Sequence, residues 1–392
     1  MNSENSSLKI LMAAGVPKRR EGGVAAVIYN LGRELEKRGH DVLYLFYDDL
    51  MKPSESGGRF RDLRFASRLA GHIRRNRKNY SVVNLHAPIG FAYGLLRKLS
   101  LSQGYPPYVM TLHGLEERRI HVMSREVKKG RAWHFSMSNR LWHRVYHRPR
   151  FFLSIRTADA AHCFSRDVWT ILQLKYNLDS DKVAYIPNGV EERFFISRDY
   201  EERKPIRLLY AGSWLDQRGI FYLRDALIDL NTRFRDWTFT IAGAGVDANE
   251  LRAFFGDELR EQILPVPVVS AEQMPELYRD HDIFVFPSLV EGLPSVLLEA
   301  MAGGMPVITT DTCGMSDVVE DEFNGLLVSP ANAKAVAESV LRLARSTSLR
   351  RELGQAGRQS MRRLSWEKSG QKLEKVLFDV IKRNGVTAQR GS

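Results

Sequence analysis

Residues 282–310 read DIFVFPSLVEGLPSVLLEAMAGGMPVITT, and their reading decides the fold. Ile283-Phe284-Val285-Phe286 is a short unbroken apolar run, the form of a parallel strand buried on both faces. A turn over 287–293 follows, and 294–302 reads as a helix. Pro294 suits its first position, where no helical carbonyl would have taken the missing N–H. Gly303-Gly304 ends the helix, and Pro306-Val307-Ile308-Thr309-Thr310 is a second buried strand. In such a strand–helix–strand unit of an open parallel sheet, ligands bind beyond the carboxyl ends of the strands. The free N–H groups and positive end of the helix favour an anion there, most commonly phosphate.

Two carboxylates flank this spot, Glu291 in the turn beside Gly292 and Glu299 one turn into the helix. A carboxylate can accept from two hydroxyls at once, so a phosphate site between two of them suits a nucleotide sugar. On spacing alone the pair reads equally well as a solvated loop residue and an exposed helix residue.

The chain has 392 residues, too many for one ordinary core, and two domains are expected. Cys163 and Cys313 are far apart and form neither a disulfide framework nor a metal cluster, which suits a reducing compartment. The start, MNSENSSLKILMAAG, lacks the basic region and long apolar run of a secretion signal, and no stretch approaches the length needed to span a bilayer. The chain is therefore expected to be soluble or peripheral. The net charge of +12 favours anionic partners, whether nucleic acid, lipid headgroups or substrates.

The first domain opens with a strand over 9–14, a loop carrying Gly22-Gly23, and a helix over 24–38 with Val24, Val27, Ile28, Leu31 and Leu35 on one face. Two further strands, 81–86 and 108–113, end in His86 and His113. Residues 116–150 are the most unusual part: Arg118, Arg119, Arg125, Lys128, Lys129, Arg131, Arg140, Arg144, Arg148 and Arg150 interleave with Trp133, Phe135, Trp142 and Tyr146. They read as a solvated helical excursion, as a segment for an anionic membrane surface, or as a nucleic-acid face. No nucleic-acid module motif accompanies them, and the membrane surface is the preferred reading. After a strand over 182–186, Asn188-Gly189 marks a turn, and 191–205 reads as a linker.

The second domain restarts the alternation with a strand over 206–211, a loop over 212–219 containing Gly212, Ser213 and Arg218, a helix over 220–233 and a strand over 237–242. Gly243-Ala244-Gly245-Val246-Asp247-Ala248 matches the dinucleotide fingerprint Gly-x-Gly-x-x-Gly/Ala between a strand and a helix. The following strand ends without the acidic residue that would take a ribose hydroxyl, which argues against a nicotinamide cofactor.

The run Glu291-Gly292-Leu293-Pro294-Ser295-Val296-Leu297-Leu298-Glu299 resembles the signature of retaining GT-B glycosyltransferases of the large family 4 (group 1) type, in which two glutamates are separated by seven intervening residues with Gly-x-Pro after the first. The likeness covers nearly the whole chain, strongly over 182–330 and loosely over 50–150. It implies an α/β fold of two Rossmann-like domains facing a cleft: 1–195 for the acceptor, 205–364 for the nucleotide-sugar donor, and 365–392 as a helix crossing back to the first domain, with a tail.

The resemblance also implies roles. Thr111-Leu112-His113-Gly114 is similar to the family's Thr-x-His-Gly, whose histidine contacts the donor sugar; His86 and Asn188 fall on the acceptor side. Gly22 and Gly23 resemble the glycine loop whose amides approach the diphosphate. Gly212 through Gly219 resembles Gly-Arg-Leu…Lys-Gly, in which both cations hold the diphosphate; Arg218 stands for the lysine, and Ser213 replaces the arginine. Gly243 and Gly245 resemble the family's strand end near the donor, Val268 falls where the family contacts the base, Glu299 falls on the ribose and Glu291 on the sugar. Gly292, Leu293 and Pro294 fall among the donor-binding residues, with the helix start at Ser295 and Val296 at the diphosphate. The implied activity is metal-independent, retaining transfer from a UDP-sugar or GDP-mannose to a glycan or polyprenyl- or lipid-linked acceptor, in cell-surface polysaccharide, lipopolysaccharide or glycolipid synthesis. No cofactor, metal or nucleic acid is expected. The expected location is the cytoplasm, peripheral on the inner face of the plasma membrane. The alternatives are a nucleotide-sugar-binding or membrane-associated protein of the same fold with a weakened site, for which Ser213 speaks, and a dinucleotide oxidoreductase.

Overall fold

The computed structural model describes residues 7–18, 23–55, 57–58, 60–100, 104–132, 141–266 and 268–385. The chain divides into two compact units: Met1–Leu115 with Ser138–Gly189 and Trp366–Ser392, and Glu116–Met137 with Val190–Ser365.

The first unit is built on six parallel strands: β1 (Lys9–Ala13), β2 (Asp41–Leu45), β3 (Val82–His86), β4 (Tyr108–Leu112), β5 (Ala160–Cys163) and β6 (Val183–Tyr185), in the order β2-β1-β3-β4-β5-β6. β3, β4 and β5 are buried along their whole length, which is why their sequences do not alternate. One face packs Leu11, Val83, Leu85, Met110 and Cys163 against Phe65, Leu69, Ile73, Phe151 and Ile155. Because side chains alternate across a strand, Asn84, His86, Thr111 and His162 fall on the other face. There the Asn84 amide donates to Thr111 Oγ1 at 2.8 Å.

The terminal helix Trp366–Arg383 belongs to this first unit. It lies on the helix Gly23–Lys37 and on β4 and β5. His40 Nε2 meets Glu374 at 2.8 Å, and Ser369 Oγ donates to the Pro187 carbonyl at 2.7 Å. Gly370 allows the closest approach, since a Cβ there would stand 2.5 Å from Glu34 Cβ.

The second unit has β7 (Ile206–Ala211), β8 (Trp237–Ala242), β9 (Ile263–Val266), β10 (Ile283–Phe286), β11 (Val307–Thr310) and β12 (Leu326–Val328), again all parallel, in the order β12-β11-β10-β7-β8-β9. Successive connections run outward from β7 through β8 to β9, then return to place β10 on the other side of β7. The order therefore reverses between β7 and β10.

The helix Glu116–Lys128, read from sequence with the first domain, is contained in the second unit. Polar contacts hold it there: Tyr222 donates to Glu126 at 2.6 Å, Lys129 reaches the Tyr222 hydroxyl at 3.1 Å, Arg131 pairs with Asp225 at 2.6 Å, and Arg118 donates to Thr312 at 3.0 Å. None of these partners is near in sequence, so no local pattern announces them. Among the described residues no helix is long and apolar enough to cross a membrane.

Candidate active site

In the second unit the loops after β7 and β10 meet at the point where strand order reverses. Gly219 makes their approach possible. Its φ is +74° and a Cβ would sit 2.0 Å from the Pro287 carbonyl oxygen, so only glycine fits both the left-handed backbone and the space. The contact is sealed by the Leu289 N–H, which donates to the Gln217 carbonyl at 2.8 Å, and by Ser288 Oγ, which donates to the same oxygen at 3.1 Å.

This junction brings Arg218 to Glu291 in a close ion pair, with side chains 19% and 11% exposed. The Arg218 guanidinium lies 5.1 Å above the Phe286 ring, and Ser288 Oγ donates to Glu291 Oε1 at 3.3 Å. Burial pushes the Glu291 carboxyl above its usual range, while Arg218 and Ser288 pull it back. The loop after β11 braces the same turn: the Gly314 N–H donates to the Gly292 carbonyl at 2.8 Å, and the Glu291 N–H points to Cys313 Sγ at 3.4 Å. Cys313 holds a φ of +55° to do so.

Pro294 caps the helix Ser295–Ala302 rather than opening it. Its extended backbone puts the turn just outside the helix, and the amides of Ser295 and Val296 become the first helical N–H groups, which have no intrahelical acceptor. Glu299 stands one turn along, half-buried. Tyr278 Oη donates to Glu299 Oε2 at 2.9 Å. Burial raises the Glu299 carboxyl from 4.5 to about 7, against the opposing hydrogen bond from Tyr278.

Gly212, Gly243 and Gly245 all hold positive φ in the loops after β7 and β8. The Gly243 N–H donates to the Val266 carbonyl at 2.9 Å. Val268, beyond β9, is 85% exposed. The helix Ala248–Phe255 that follows this glycine loop is closed to a diphosphate by its own cap: Asp247 Oδ1 accepts from the Asn249 N–H at 2.8 Å and faces that of Glu250 at 3.4 Å. A carboxylate already occupies the place where the dinucleotide fingerprint seats its phosphates, which removes the reason for reading one here. Ser213 is exposed, and its backbone carbonyl accepts from Tyr210 Oη at 2.8 Å.

In the first unit the histidine that ends β3 and the one just after β4 meet. His86 Nδ1 and His113 Nε2 are 2.7 Å apart with their rings stacked, so one ring donates and the other accepts. His162, beside Thr111 in the register of β4 and β5, completes the cluster through Phe164, which lies 4.9 Å from the His113 ring and 5.1 Å from that of His162. Burial lowers all three, His113 to about 4, His162 to about 3 and His86 well below 6.5. The cluster is therefore neutral at ordinary pH. Among the described residues no group of three His, Cys, Asp or Glu is placed to hold a metal ion.

Asn188 is buried beyond the edge strand β6, two strands from β4. Gly23 opens the first helix at a φ of +62°, and Gly22 lies outside the described residues. Tyr278 and His162 are the participants that sequence reasoning missed. Tyr278 sits in an unremarkable helix, whereas a histidine inside the buried run Ala160-Ala161-His162-Cys163 was a signal that could have been used.

Comparison with known proteins identifies the family. The family model described as glycosyl transferases group 1 matches residues 192–360, and that of glycosyltransferase family 4 matches residues 21–194. The chain belongs to the group 1 / family 4 glycosyltransferases. This glycosyltransferase is 26% identical over 292 residues to an uncharacterized glycosyltransferase of Methanocaldococcus jannaschii, covering 74% of each chain. It is 25% identical over 279 residues to the amylovoran biosynthesis glycosyltransferase AmsK of Erwinia amylovora, covering 68% of this chain and 63% of that one. In structure it resembles the sucrose-phosphate synthase of Thermosynechococcus elongatus, with a TM-score of 0.75 and 17% identity over 96% of this chain and all (100%) of that one. HepE of Anabaena, solved in complex with UDP, gives a TM-score of 0.67 and 16% identity over 95% of this chain and 100% of that one. These two likenesses concern the fold, which is that of GT-B glycosyltransferases.

Proposed function

We propose that this glycosyltransferase moves a sugar from a nucleoside-diphosphate sugar to a glycan or lipid-linked acceptor, with retention at the anomeric carbon and without a metal, in the synthesis of a surface polysaccharide or glycolipid at the cytoplasmic face of a membrane. The observation that carries the proposal is the Arg218–Glu291 pair at the point of strand reversal, beside the helix start at Ser295. Arg218 and the Ser295 and Val296 amides are fixed donors for the charge that develops on a departing diphosphate, and preorganised donors stabilise such charge without reorganising. Glu299, held by Tyr278, accepts the ribose hydroxyls, and Glu291 accepts from the sugar. The role of His113, contact with the donor sugar, follows from the family resemblance, as does retention. The polysaccharide setting draws on AmsK, and a uridine donor on the HepE complex.

A second reading has one observation in its favour. Exposed Ser213 offers no charge where the family places an arginine, so the chain could bind the donor without transferring from it.

The test is thermal unfolding with UDP, GDP, ADP and dTDP, each with and without EDTA, followed by product analysis with the matching labelled sugar donor. A ligand at about a hundred times its Kd stabilises by roughly 2.7 kcal/mol. A shift that survives EDTA, followed by a transferred or hydrolysed sugar of retained configuration, supports the proposal. Binding without turnover supports the second reading. No response to any nucleotide sinks both.

A further inference from the structure

The basic, aromatic region splits into two parts with opposite fates. The cations of 116–131 that reach partners find them inside the second unit: Arg119 on Glu116, Lys129 on Glu126 and Arg131 on Asp225. The later part, 141–157, lies in the first unit as one continuous helical stretch, a π-turn over His143–His147 leading into the helix Arg148–Thr157. Its inner side buries His143, Arg150, Phe151, Ser154 and Ile155. Its outer side is a single stripe at helical spacing, Leu141, Arg144, Val145, Arg148, Phe152 and Arg156, all exposed.

Two features of this stripe are unusual. Leu141, Val145 and Phe152 are large apolar side chains 66%, 67% and 47% exposed, and they interleave with arginines instead of standing singly. Secondly, the charge is uncompensated. No Asp or Glu occurs between Glu126 and Asp159, and Arg144, Arg148 and Arg156 enter no ion pair among the described residues. The neighbouring helix Phe91–Leu99, packed on the same stretch, extends the pattern with exposed Leu95, Lys98 and Leu99.

We infer that this stripe docks the protein on an anionic lipid surface. A bilayer boundary takes both kinds of group at once: guanidinium groups on lipid phosphates, and leucine, valine and phenylalanine in the outer acyl region. A nucleic acid would satisfy the arginines but leave the aliphatic side chains in water. The inference stands independently of the donor site, since the stripe belongs to the first unit and Arg218, Glu291 and Glu299 to the second.

The test is co-sedimentation of the full chain with vesicles of phosphatidylcholine alone and of equal parts phosphatidylcholine and phosphatidylglycerol. The protein should pellet with the anionic vesicles and much less with the neutral ones. The triple substitution Arg144→Gln, Arg148→Gln, Arg156→Gln should lower partitioning about a hundredfold, given the usual contribution per basic residue at an anionic surface. Leu141→Ser, Val145→Ser, Phe152→Ser should leave only binding that raised salt abolishes, whereas the unaltered protein keeps a salt-resistant fraction. An unchanged unfolding midpoint shows each variant folded; if the serine variant unfolds, the glutamine variant and the salt series decide. Failure to pellet with anionic vesicles, or variants that pellet like the parent, overturns the inference. So does tight binding of a fluorescent single-stranded oligonucleotide that the serine substitutions leave intact. A failed nucleotide response would count against the donor reading and leave the vesicle result standing.

Discussion

Glu299→Gln is expected to stabilise the ligand-free protein while weakening its hold on the donor. In the folded chain burial raises the Glu299 carboxyl from 4.5 to about 7. Between those values the folded state keeps a proton that the unfolded chain releases, so stability falls as pH rises through that window and then levels off. At about 1.4 kcal/mol per pH unit, ionisation costs the folded state about 3 kcal/mol by pH 8, an upper bound because Glu299 is partly exposed. A neutral glutamine of nearly the same shape avoids that cost and can still accept from Tyr278. Glu299→Gln should therefore raise the unfolding midpoint at about pH 8 by up to roughly 6–12 °C, and change it little at about pH 5, where the parent carboxyl is already protonated. UDP binding should move the other way. A carboxylate that accepts from two hydroxyls contributes roughly 1.5–3 kcal/mol per charged hydrogen bond, so the variant should lose at least tenfold in affinity by calorimetry at pH above 7. Equal midpoints for the two proteins at high pH would refute the burial argument. Undiminished UDP affinity would refute the ribose role.

Other consequences follow from the same geometry. Gly219→Ala places a Cβ 2.0 Å from the Pro287 oxygen at a φ of +74°, and should cost more than about 2 kcal/mol in denaturant unfolding along with the nucleotide response. Arg218→Met leaves the Glu291 carboxylate without its cation; UDP affinity should fall by roughly tenfold or more in calorimetry. In the first unit the histidine cluster gives the opposite pH trend to Glu299. The unfolded chain takes up protons below about 6.5 that the folded His113 and His162 accept only near 4 and 3, so stability is lost as pH falls from about 6.5. His162→Phe should flatten that acid limb in a series of unfolding midpoints, and an unchanged limb would place the sensitivity elsewhere.

Much of this protein was legible in the chain itself. Unbroken apolar runs such as Ile283–Phe286 mark buried parallel strands because both faces of those strands are covered, and a residue's own neighbours suffice to show it. The glutamates and glycines around Gly292 were legible for the same reason, since the turn and the helix start that position them are local. What the linear order could not contain were contacts between residues far apart along it. The pairing of Arg218 with Glu291 depends on β10 returning beside β7, and the support of Glu299 by Tyr278 depends on two helices meeting. The likeness of Gly243–Ala248 to a dinucleotide site was undone by one hydrogen-bonded cap at Asp247. Composition marked the whole of 116–150 as one basic segment. Tertiary packing divided it, because Tyr222, Asp225 and Thr312 neutralise or bind the first part, whereas among the described residues no acidic group pairs with Arg144, Arg148 or Arg156 of the stripe.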